Sequence, residues 1–344
     1  MLSDGAPCGV SVRRLHCRSC GVGWLPPFEA ARLPRRTFGD AYALGAAPPT
    51  AADLARAGGY AGRIAALWNR APPATVLDVG CGNGALMAAL GILWPAARFR
   101  GVEPAPRVAA AARLGGNPVS RSLRPGMRAS LVVSVNVIEH TPDPLGFLRS
   151  LRRAVAPGGA ALLICPDGAL PWLELLMADH RWSFTPAALA GLAAQAGFMV
   201  ERNDPAPGGF QALALRPVSG RPTAPQRRAF MSPGPRRSYL GAWRALDGIL
   251  DARSAGGGRR VCFGVGEVTR LLRMQAPKSW SRVAALTADD AAGAQGLGRP
   301  FLAPADLRPD DELLLAVRPG AQPAVAARLG ERHAVLRWDD VLAR

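Results

Sequence analysis

Residues 76–84 read Val-Leu-Asp-Val-Gly-Cys-Gly-Asn-Gly, an apolar run that passes into alternating glycines. Glycine carries no Cβ and tolerates positive φ, so such a run lets the chain turn sharply and approach a ligand closely. Thr75–Val79 is predicted to be a strand and Ala85–Leu93 a helix, whose first free N–H groups would point at the bound molecule. This arrangement is typical of a nucleotide-binding loop.

An acidic residue follows the loop at a distance that suits the same chemistry. Glu103 comes 19 residues after Gly84, at the end of a strand predicted for Phe99–Val102. A carboxylate at that place can accept hydrogen bonds from both ribose hydroxyls of a nucleoside. Gly80, Gly82 and Gly84 lie at intervals of two, whereas a dinucleotide turn requires G-x-G-x-x-G. The spacing therefore disfavours a pyrophosphate-bearing cofactor.

The glycine spacing is similar instead to the first motif of class I S-adenosylmethionine (SAM)-dependent methyltransferases. Later segments resemble that family in the same order along the chain. They read Gly-Val-Glu-Pro at 101–104, Glu-His-Thr-Pro-Asp-Pro at 139–144, Pro-Gly-Gly at 157–159, Asp-His-Arg-Trp-Ser-Phe-Thr at 179–185 and Ala-Gly-Phe at 196–198. The resemblance implies an enzyme with a Rossmann-like α/β core at residues 54–216. It also implies SAM binding by Asp78, Gly80, Cys81, Gly82, Gly84, Glu103 and Asn136.

Predicted strands and helices alternate along the part of the chain that carries these residues. Further strands are predicted at Ser130–Val135 and Ala160–Cys165. Helices are predicted at Leu54–Trp68, Arg107–Leu114, Pro144–Ala154 and Pro186–Ala196. Short apolar strands that alternate with helices favour a parallel sheet covered on both faces. The predicted fold class is therefore α/β.

Two histidines are candidates for a general base. Methyl transfer from a sulfonium needs a base only where the acceptor must lose a proton. His180, with Asp179 beside it, follows the strand that ends at Cys165, near the sheet edge where ligands bind in such folds. His140 with Glu139 is the second candidate pair, and its alternative role is to order a proline-shaped turn.

Three of the six cysteines lie close to the N-terminus. Cys17 and Cys20 have the spacing of half a zinc ribbon, Cys8 is the obvious third ligand, and no fourth ligand is evident. The alternative is a degenerate ribbon that packs without metal. We expect residues 1–30 to form a degenerate zinc-ribbon-like module, and the presence of zinc stays open.

A second strand–loop–helix pattern occurs at Arg260–Phe263, Gly264-Val265-Gly266 and Glu267–Met274. Strands are also predicted at Val283–Leu286, Glu312–Val317 and Ala334–Leu336. We expect a linker at 217–236 and a C-terminal Rossmann-like domain at 237–344. The order of cysteine module, core and second domain resembles the sugar C-methyltransferases, which act on nucleotide-linked deoxysugars. That resemblance implies that the second domain helps to hold the nucleotide-sugar, although Thr269 replaces the third glycine of its loop.

Composition limits the classes of partner. The formal charge is +17, and every basic residue except Lys278 is arginine. These arginines are spread along the chain without a basic block, so composition bias explains them better than a nucleic-acid partner does. No apolar run reaches the ~20 residues of a membrane helix, and no secretory signal is evident. We expect a cytoplasmic protein.

The predicted function is SAM-dependent methylation of a small molecule such as a sugar, a nucleotide-sugar or another secondary metabolite. One alternative is a methyltransferase that acts on RNA or protein. The other is a non-catalytic SAM-binding protein, because residues 128–131 read Arg-Ala-Ser-Leu at the start of the strand where the family usually has an aspartate. The oligomeric state is not predicted.

Overall fold

The fold is given by a computed structural model, which describes residues 1–3, 5–34, 46–206, 208–220, 232–253, 258–291 and 293–342. They form two compact units. The core unit comprises Leu2–Asp4 and Cys8–Pro233, and the C-terminal unit comprises Met1, Gly5–Pro7 and Gly234–Arg344. Residues 221–231 of the predicted linker lie outside the described residues. The finer domain boundaries stay predictions.

The helices and strands of the core unit are named here in chain order. They are β1 (Leu15–His16), β2 (Gly23–Trp24), α1 (Pro27–Ala30), α2 (Ala51–Trp68), β3 (Thr75–Val79), α3 (Ala85–Leu93), β4 (Arg98–Val102), α4 (Pro106–Arg113), β5 (Val119–Ser120), β6 (Ala129–Val135), α5 (Pro144–Ala154), β7 (Val155–Pro166), β8 (Trp182–Ser183), α6 (Pro186–Gln195), β9 (Phe198–Ala206) and β10 (Phe210–Pro217). Short 3-10 turns occur at Ile138–His140 and Leu173–Leu176.

A seven-stranded sheet in the order β5-β4-β3-β6-β7-β10-β9 forms the centre of the core unit. Strands β3 to β7 pair in parallel, and β10 runs antiparallel to both β7 and β9. The chain moves outward from β3 through β4 to β5 and then returns to β6 on the other side of β3. In such sheets ligands bind at the carboxyl ends of the strands where the order reverses. The loops after β3 and β6 therefore frame the expected ligand position.

Each face of this sheet is covered by helices. Successive residues of a strand point to opposite faces, so Val76 and Leu77 belong to different apolar clusters. The cluster of Val76 includes residues of α2 and α3, and that of Leu77 includes residues of α5 and α6. The prediction of an α/β core with a parallel sheet covered on both sides is confirmed.

The observed elements differ from the predicted ones mainly around β7 and at the sheet edge. Strand β7 begins at Val155, so the Pro-Gly-Gly segment lies within the strand and not in a turn before it. A Cβ on Gly159 would lie 2.5 Å from the carbonyl oxygen of Ser130, which explains why glycine is needed there. The hairpin of β9 and β10 is not predicted, because β9 is polar and contains Pro205, as edge strands often do.

The N-terminal segment joins a small second sheet of the core unit. Strand β2 pairs with β1 on one side and with β8 on the other, so that Gly23 lies opposite Ser183 and Trp24 opposite Trp182. Thr185 caps α6 and also donates a hydrogen bond from Oγ1 to the carbonyl oxygen of Cys20 at 2.7 Å. The cysteine-containing segment is therefore held against the residues around His180.

The C-terminal unit is a second α/β structure, as predicted. Its five strands pair in parallel, and their spatial order is third, second, first, fourth and fifth along the chain. This order matches the first five strands of the Rossmann order 3-2-1-4-5-6. Among the helices of the described residues, none has the length and apolar character that a membrane crossing requires. The elements are α7 (Gly234–Ala252), β11 (Arg260–Phe263), α8 (Glu267–Gln275), α9 (Pro277–Ser281), β12 (Val283–Thr287), β13 (Phe301–Leu302), β14 (Glu312–Leu315), α10 (Gln322–Gly330), β15 (Ala334–Arg337) and α11 (Asp339–Leu342).

The glycine loop of the C-terminal unit is partly covered by its own chain. Gly264 has a φ of +120° and lies so close to Ala316 that a Cβ would be 2.6 Å from its carbonyl oxygen. A Cβ on Gly293 would lie 2.5 Å from the carbonyl oxygen of Val265. The segment around Gly293 therefore lies against the loop.

Candidate functional site

The glycine loop of the core unit follows β3 and leads into α3. Gly80, Gly82 and Gly84 all have positive φ, at 83°, 55° and 86°. A Cβ on Gly80 would lie 2.2 Å from Cγ2 of Val137, so the loop approaches the chain that follows β6. A Cβ on Gly82 would meet no atom of the described residues within 4 Å. The loop is therefore packed at its first glycine and open at its second.

Glu103 follows β4 and reaches the same loop. Its Oε2 accepts a hydrogen bond from the backbone N–H of Gly82 at 3.1 Å, and its Oε1 accepts one from Ala105 at 3.0 Å. These bonds fix a largely buried carboxylate beside the open side of the loop. Burial raises the pKa of Glu103, and the two backbone N–H groups oppose that rise. A carboxylate held in this way suits the ribose hydroxyls of a nucleoside.

Asp78 lies beneath the loop at the end of β3. It is almost completely buried, and its Oδ2 has no hydrogen-bond partner in the part of the chain that the structure describes. Burial, and then the charge of Glu103, raise the pKa of Asp78 to about 7. An unpartnered carboxylate in this position would be stabilised by a cationic ligand, since an opposite charge favours ionisation.

Cys81 belongs to the predicted cofactor set, but its side chain points into the core. It packs in an apolar cluster with Met87 and Ala109, and its Sγ would lie 2.6 Å from a Cβ on Gly101. Burial raises the pKa of its thiol, so the thiol stays protonated. Only the backbone of Cys81 is available to a ligand.

Asn136 lies on the opposite side of the expected ligand position, directly after β6. Its φ is 57°, a left-handed conformation, and its Oδ1 is buried without a partner. Its Nδ2 donates a hydrogen bond to the hydroxyl of Tyr60 at 3.2 Å, which comes from α2. Sequence reasoning did not identify Tyr60, because its helical spacing resembles that of the apolar residues around it.

Ser130, in the segment 128–131 where the resemblance predicts an aspartate, is remote from this edge. Its Oγ donates to the carbonyl oxygen of Thr75 at 2.9 Å, and its N–H donates to Oγ1 of the same threonine at 2.9 Å. Both residues lie at the starts of their strands, whereas the ligand edge is at the strand ends. The absence of an acid at Ser130 therefore does not remove a group from the site.

The predicted base candidates meet in one group beyond the ends of β6 and β7. One carboxylate oxygen of Glu139 and one ring nitrogen each of His140 and His180 all lie within 4.8 Å of one another. The two imidazole rings contact edge to face, with centroids 4.6 Å apart. Nδ1 of His140 lies 3.1 Å from the carbonyl oxygen of Asp179. The structure thus brings together residues that are 40 positions apart in the chain.

Glu174 adds a further carboxylate that sequence reasoning missed. It lies in the 3-10 turn Leu173–Leu176 and is buried. Its Oε1 accepts a hydrogen bond from Oγ of Ser183 at 2.5 Å, and its Oε2 lies 3.7 Å from Nδ1 of His180. We call Glu139, His140, Glu174, Asp179 and His180 the polar cluster.

Burial and mutual charges shift every titration in the polar cluster. Burial raises the pKa of Glu139 to about 7, and the charge of His180 only partly offsets that rise. Burial, and then the charge of His180, hold the pKa of His140 well below its usual value, so His140 stays neutral. Burial alone would lower the pKa of His180, but the contact with Glu174 and the charges of Glu139 and Asp179 raise it overall.

The N-terminal segment anchors the loop that carries His180. The carboxylate of Asp179 accepts hydrogen bonds from the N–H of Ser3 at 2.9 and 3.1 Å and from its Oγ at 2.6 Å. Arg14 donates to the carbonyl oxygens of Met177, at 2.5 Å, and of His180. Asp179 is thus occupied by Ser3 and is a poor candidate to orient the imidazole of His180.

The three cysteines considered as zinc ligands do not form a cluster in the structure, and zinc is not supported. The sulfur atoms of Cys8, Cys17 and Cys20 do not all lie within 4.8 Å of one another, as ligands of one ion would. Cys17 and Cys20 interact across a turn closed by a hydrogen bond from the N–H of Gly21 to the carbonyl oxygen of Cys17 at 2.8 Å.

Residues 53–203 match a protein-family model described as a methyltransferase domain. The ubiquinone biosynthesis O-methyltransferase of Methylobacterium sp. (strain 4-46) is 32% identical over 174 residues, which cover 43% of this chain and 66% of that protein. The protein of the same name from Cereibacter sphaeroides (strain ATCC 17029 / ATH 2.4.9) is 31% identical over 154 residues, which cover 36% and 59%. The chain thus spans less than two thirds of the length of these curated relatives.

Solved structures of similar fold include the mitomycin 7-O-methyltransferase MmcR, with a TM-score of 0.42 and 24% identity. The alignment covers 48% of this chain and 54% of that one. Another is the O-methyltransferase NcsB1 from neocarzinostatin biosynthesis, in complex with SAM and 2-hydroxy-5-methyl naphthoic acid. It has a TM-score of 0.42 and 25% identity, and the alignment covers 48% and 56% of the two chains.

Proposed function

We propose, from the premise that residues 53–203 form a methyltransferase domain, that this chain transfers the methyl group of SAM to a hydroxyl of a small molecule. The observation that carries the proposal is the fixed carboxylate of Glu103 beside the open glycine loop. It is supported by the polar cluster, which lies at the same edge of the sheet. A cytoplasmic location stays a prediction.

The residues around the glycine loop fit SAM. Glu103 would hold the ribose, the backbone at Gly82 would approach the ligand, and the unpartnered Oδ2 of Asp78 would face a cationic molecule. SAM supplies an electrophilic methyl group on a positively charged sulfur. Zinc has no part in the proposal, because the thiols of Cys8, Cys17 and Cys20 do not converge.

The polar cluster supports a hydroxyl acceptor. As the acceptor oxygen bonds to the methyl carbon, its proton must pass to a base, and His180 is the base that the cluster offers. Two relatives of the chain are named O-methyltransferases of ubiquinone biosynthesis, which agrees with an oxygen acceptor. We favour phenolic or enolic hydroxyls, because their lower pKa suits an imidazole base.

Methylation of a sugar carbon remains the second candidate function. The observation in its favour is the C-terminal unit, whose strand order matches the first five strands of the Rossmann nucleotide-binding fold. Against it, the segment around Gly293 lies against the glycine loop of that unit. Phenols and nucleotide-linked deoxysugars therefore belong in the same substrate panel.

The cofactor assignment is tested with Glu103→Ala. We expect SAM affinity to fall at least tenfold in calorimetry, because both ribose contacts are lost. Glu201→Ala, which removes an exposed ion pair with Arg70, is the matched control and should bind SAM as the wild type does. Unchanged SAM affinity in Glu103→Ala would contradict the assignment.

The reaction is tested with methyl-labelled SAM and a panel of phenols, catechols, nucleotide-linked deoxysugars and RNA. We expect label in a hydroxylated aromatic acceptor and none in RNA. The spacing of Glu139, His140 and His180 would also admit a cation, so the assay is repeated after treatment with EDTA. SAM binding without transfer to any acceptor would favour the non-catalytic alternative.

A further inference from the structure

Glu174 occupies an unusual place for an acid. Its neighbours in the chain are Trp172, Leu173, Leu175 and Leu176, and the turn that they form is mostly buried. A buried carboxylate loses hydration worth several kcal/mol, so it is stable only with partners of its own. Ser183 satisfies Oε1, and the partner of Oε2 remains to be found.

The geometry points to His180 as that partner. Oε2 of Glu174 and Nδ1 of His180 are both buried, and neither forms a hydrogen bond with a described residue. They face each other at 3.7 Å, so a shift of less than 1 Å would join one acceptor to one donor. Catalytic hydrogen bonds are often long without substrate and shorten when the site is filled. An unsatisfied donor and an unsatisfied acceptor at this distance fit such a contact.

We propose that Glu174 is a positioning residue for His180, which keeps the proton on Nδ1 and leaves Nε2 as the base for the acceptor hydroxyl. Methyl transfer would form a bond between the acceptor oxygen and the methyl carbon and break the carbon–sulfur bond of SAM, with S-adenosylhomocysteine as the leaving group. The acceptor proton would pass to Nε2, and the Glu174 carboxylate would stabilise the imidazolium that forms. Ser183 holds Glu174 from the other side through Oε1. The catalytic part of this inference rests on the proposed function, whereas the contact itself does not.

Three of the other groups around His180 are poorly placed to take the role of Glu174. The carboxylate of Asp179 is bonded to Ser3. Arg14 binds the carbonyl oxygen of His180 and not its ring. His140 contacts the ring edge to face and stays neutral. The charged or titratable groups that act on the ring are Glu139, His140, Glu174 and Asp179, with Arg14 nearby.

The lowered pKa of Glu174 and the raised pKa of His180 agree with this contact. Burial alone would raise the pKa of Glu174, yet the contacts with His180 and Ser183 lower it overall. The opposite shifts are those of a pair that shares a charge-assisted hydrogen bond.

The contact is tested by the titration of His180 in the EDTA-treated full chain with isotope-labelled histidine. The sequence has only His16, His140, His180 and His333, so His180→Asn assigns the signal. We expect Glu174→Gln to lower the pKa of His180 by about one unit, and Glu174→Asp to give an intermediate value. Glu29→Gln, another buried acid paired with Arg32, is the matched control and should leave the titration unchanged.

A titration of His180 that is the same in wild type, Glu174→Gln and Glu174→Asp would overturn the inference. If Glu174→Gln fails to fold, the comparison of wild type with Glu174→Asp decides the outcome alone. This readout needs no substrate, so it stands or fails separately from the methyl-transfer assay.

The positioning role also predicts a kinetic signature with the acceptor. In Glu174→Gln we expect kcat to fall about tenfold or more, with SAM affinity and the acceptor KM near wild type. The acid limb of the kcat–pH profile should move to lower pH by about one unit, because the base has lost a negative neighbour. A fall in kcat with an unmoved acid limb would reduce Glu174 to a structural role and overturn the proposal.

Discussion

At the scale of single residues, two buried carboxyls stand out. Asp78 and Glu139 both have a pKa raised to about 7, and in each the largest cause is burial. Neither Oδ2 of Asp78 nor the two oxygens of Glu139 has a hydrogen-bond partner. Unsatisfied buried acids destabilise a fold unless a ligand or a proton neutralises them. They therefore mark the two ends of the proposed site, one for the cofactor and one for proton transfer.

Asp78→Asn should stabilise the ligand-free protein at high pH. Between about pH 4 and pH 7 folded Asp78 keeps a proton that the unfolded chain releases, so the wild type loses stability as pH rises, by at most about 1.4 kcal/mol per unit. Asparagine removes this loss. We expect the Tm of Asp78→Asn to exceed that of the wild type by about 2 °C or more at pH 8 and by little at pH 4.

The same substitution should weaken SAM binding, because the cationic ligand loses its buried counter-charge. Thermal melts across pH 4–8 and calorimetry at pH 8 measure both effects. Asp204→Asn, which breaks surface ion pairs with Arg63 and Arg202, is the control and should not give this pH profile. A Tm difference that is independent of pH would refute the raised pKa.

At the scale of elements, the loop between β3 and α3 separates two uses of glycine. Gly80 is required by packing, since Val137 fills the space beside it, whereas Gly82 borders open space. Both have positive φ, which costs an L-residue about 1–2 kcal/mol. Gly80 is therefore required for the packing of the loop, and Gly82 allows the ligand to approach it.

Gly80→Ala and Gly82→Ala should therefore differ in their effects on stability and on SAM affinity. Gly82→Ala should lose about 1 kcal/mol of stability and at least tenfold in SAM affinity, because the new methyl group occupies the ligand side of the loop. Gly80→Ala should lose more stability, and Val137→Ala in the same chain should restore part of it. Chemical denaturation measures the stability of each variant, and calorimetry on the same samples measures its SAM affinity. Equal stability losses in the two glycine variants would contradict the prediction.

Another element-scale feature is the loop that carries His180, which is held by the N-terminal segment. Arg14→Ala removes the hydrogen bonds to the carbonyl oxygens of Met177 and His180. Each such bond contributes about 1–1.5 kcal/mol, enough for roughly a tenfold effect if the loop must stay ordered during catalysis. We expect kcat to fall about tenfold while SAM affinity stays near wild type.

Arg13→Ala is the matched control for this prediction, since Arg13 is exposed. It removes the same charge from the preceding position in the chain and should leave kcat unchanged. Equal kcat values for Arg14→Ala and the wild type would show that the N-terminal segment does not order the loop.

At the scale of the whole molecule, the charge of +17 has to be reconciled with a small-molecule substrate. Many arginines have local partners in the structure. Arg259 pairs with Asp311 at 2.7 Å, and Arg260 pairs with Glu312 at 2.6 Å. Such pairs cancel in the net charge, so the excess of +17 comes from the remaining basic residues. These are spread along the chain without a basic block, which does not indicate a specific nucleic-acid site.

Any association with RNA should therefore be non-specific. We expect filter-binding affinity to fall steeply between 50 and 200 mM salt, by about 10³-fold or more if several phosphates are contacted, with no preference for sequence. No label from SAM should enter the RNA. Salt-resistant binding accompanied by RNA methylation would move the function to the RNA alternative.

Much of the core could be predicted because its signals are local. The glycine loop, the strand before it and the helix after it are set by neighbouring residues, so β3 and α3 have the predicted bounds. The same holds for Glu103, whose place at the end of β4 follows from strand length alone. Backbone sterics and apolar periodicity act over a few residues, and the sequence shows both directly.

The tertiary structure alone decided which polar groups meet. Glu174 in its apolar turn and Tyr60 in its helix have no local signal of function, and each acquires a role only through contact with His180 or Asn136. The structure likewise joined the N-terminal segment to β8 and kept Cys8 away from Cys17 and Cys20. These outcomes depend on packing between residues as many as 160 positions apart. Because such contacts form only when the sheet and its covering helices are complete, no short window of sequence contains them.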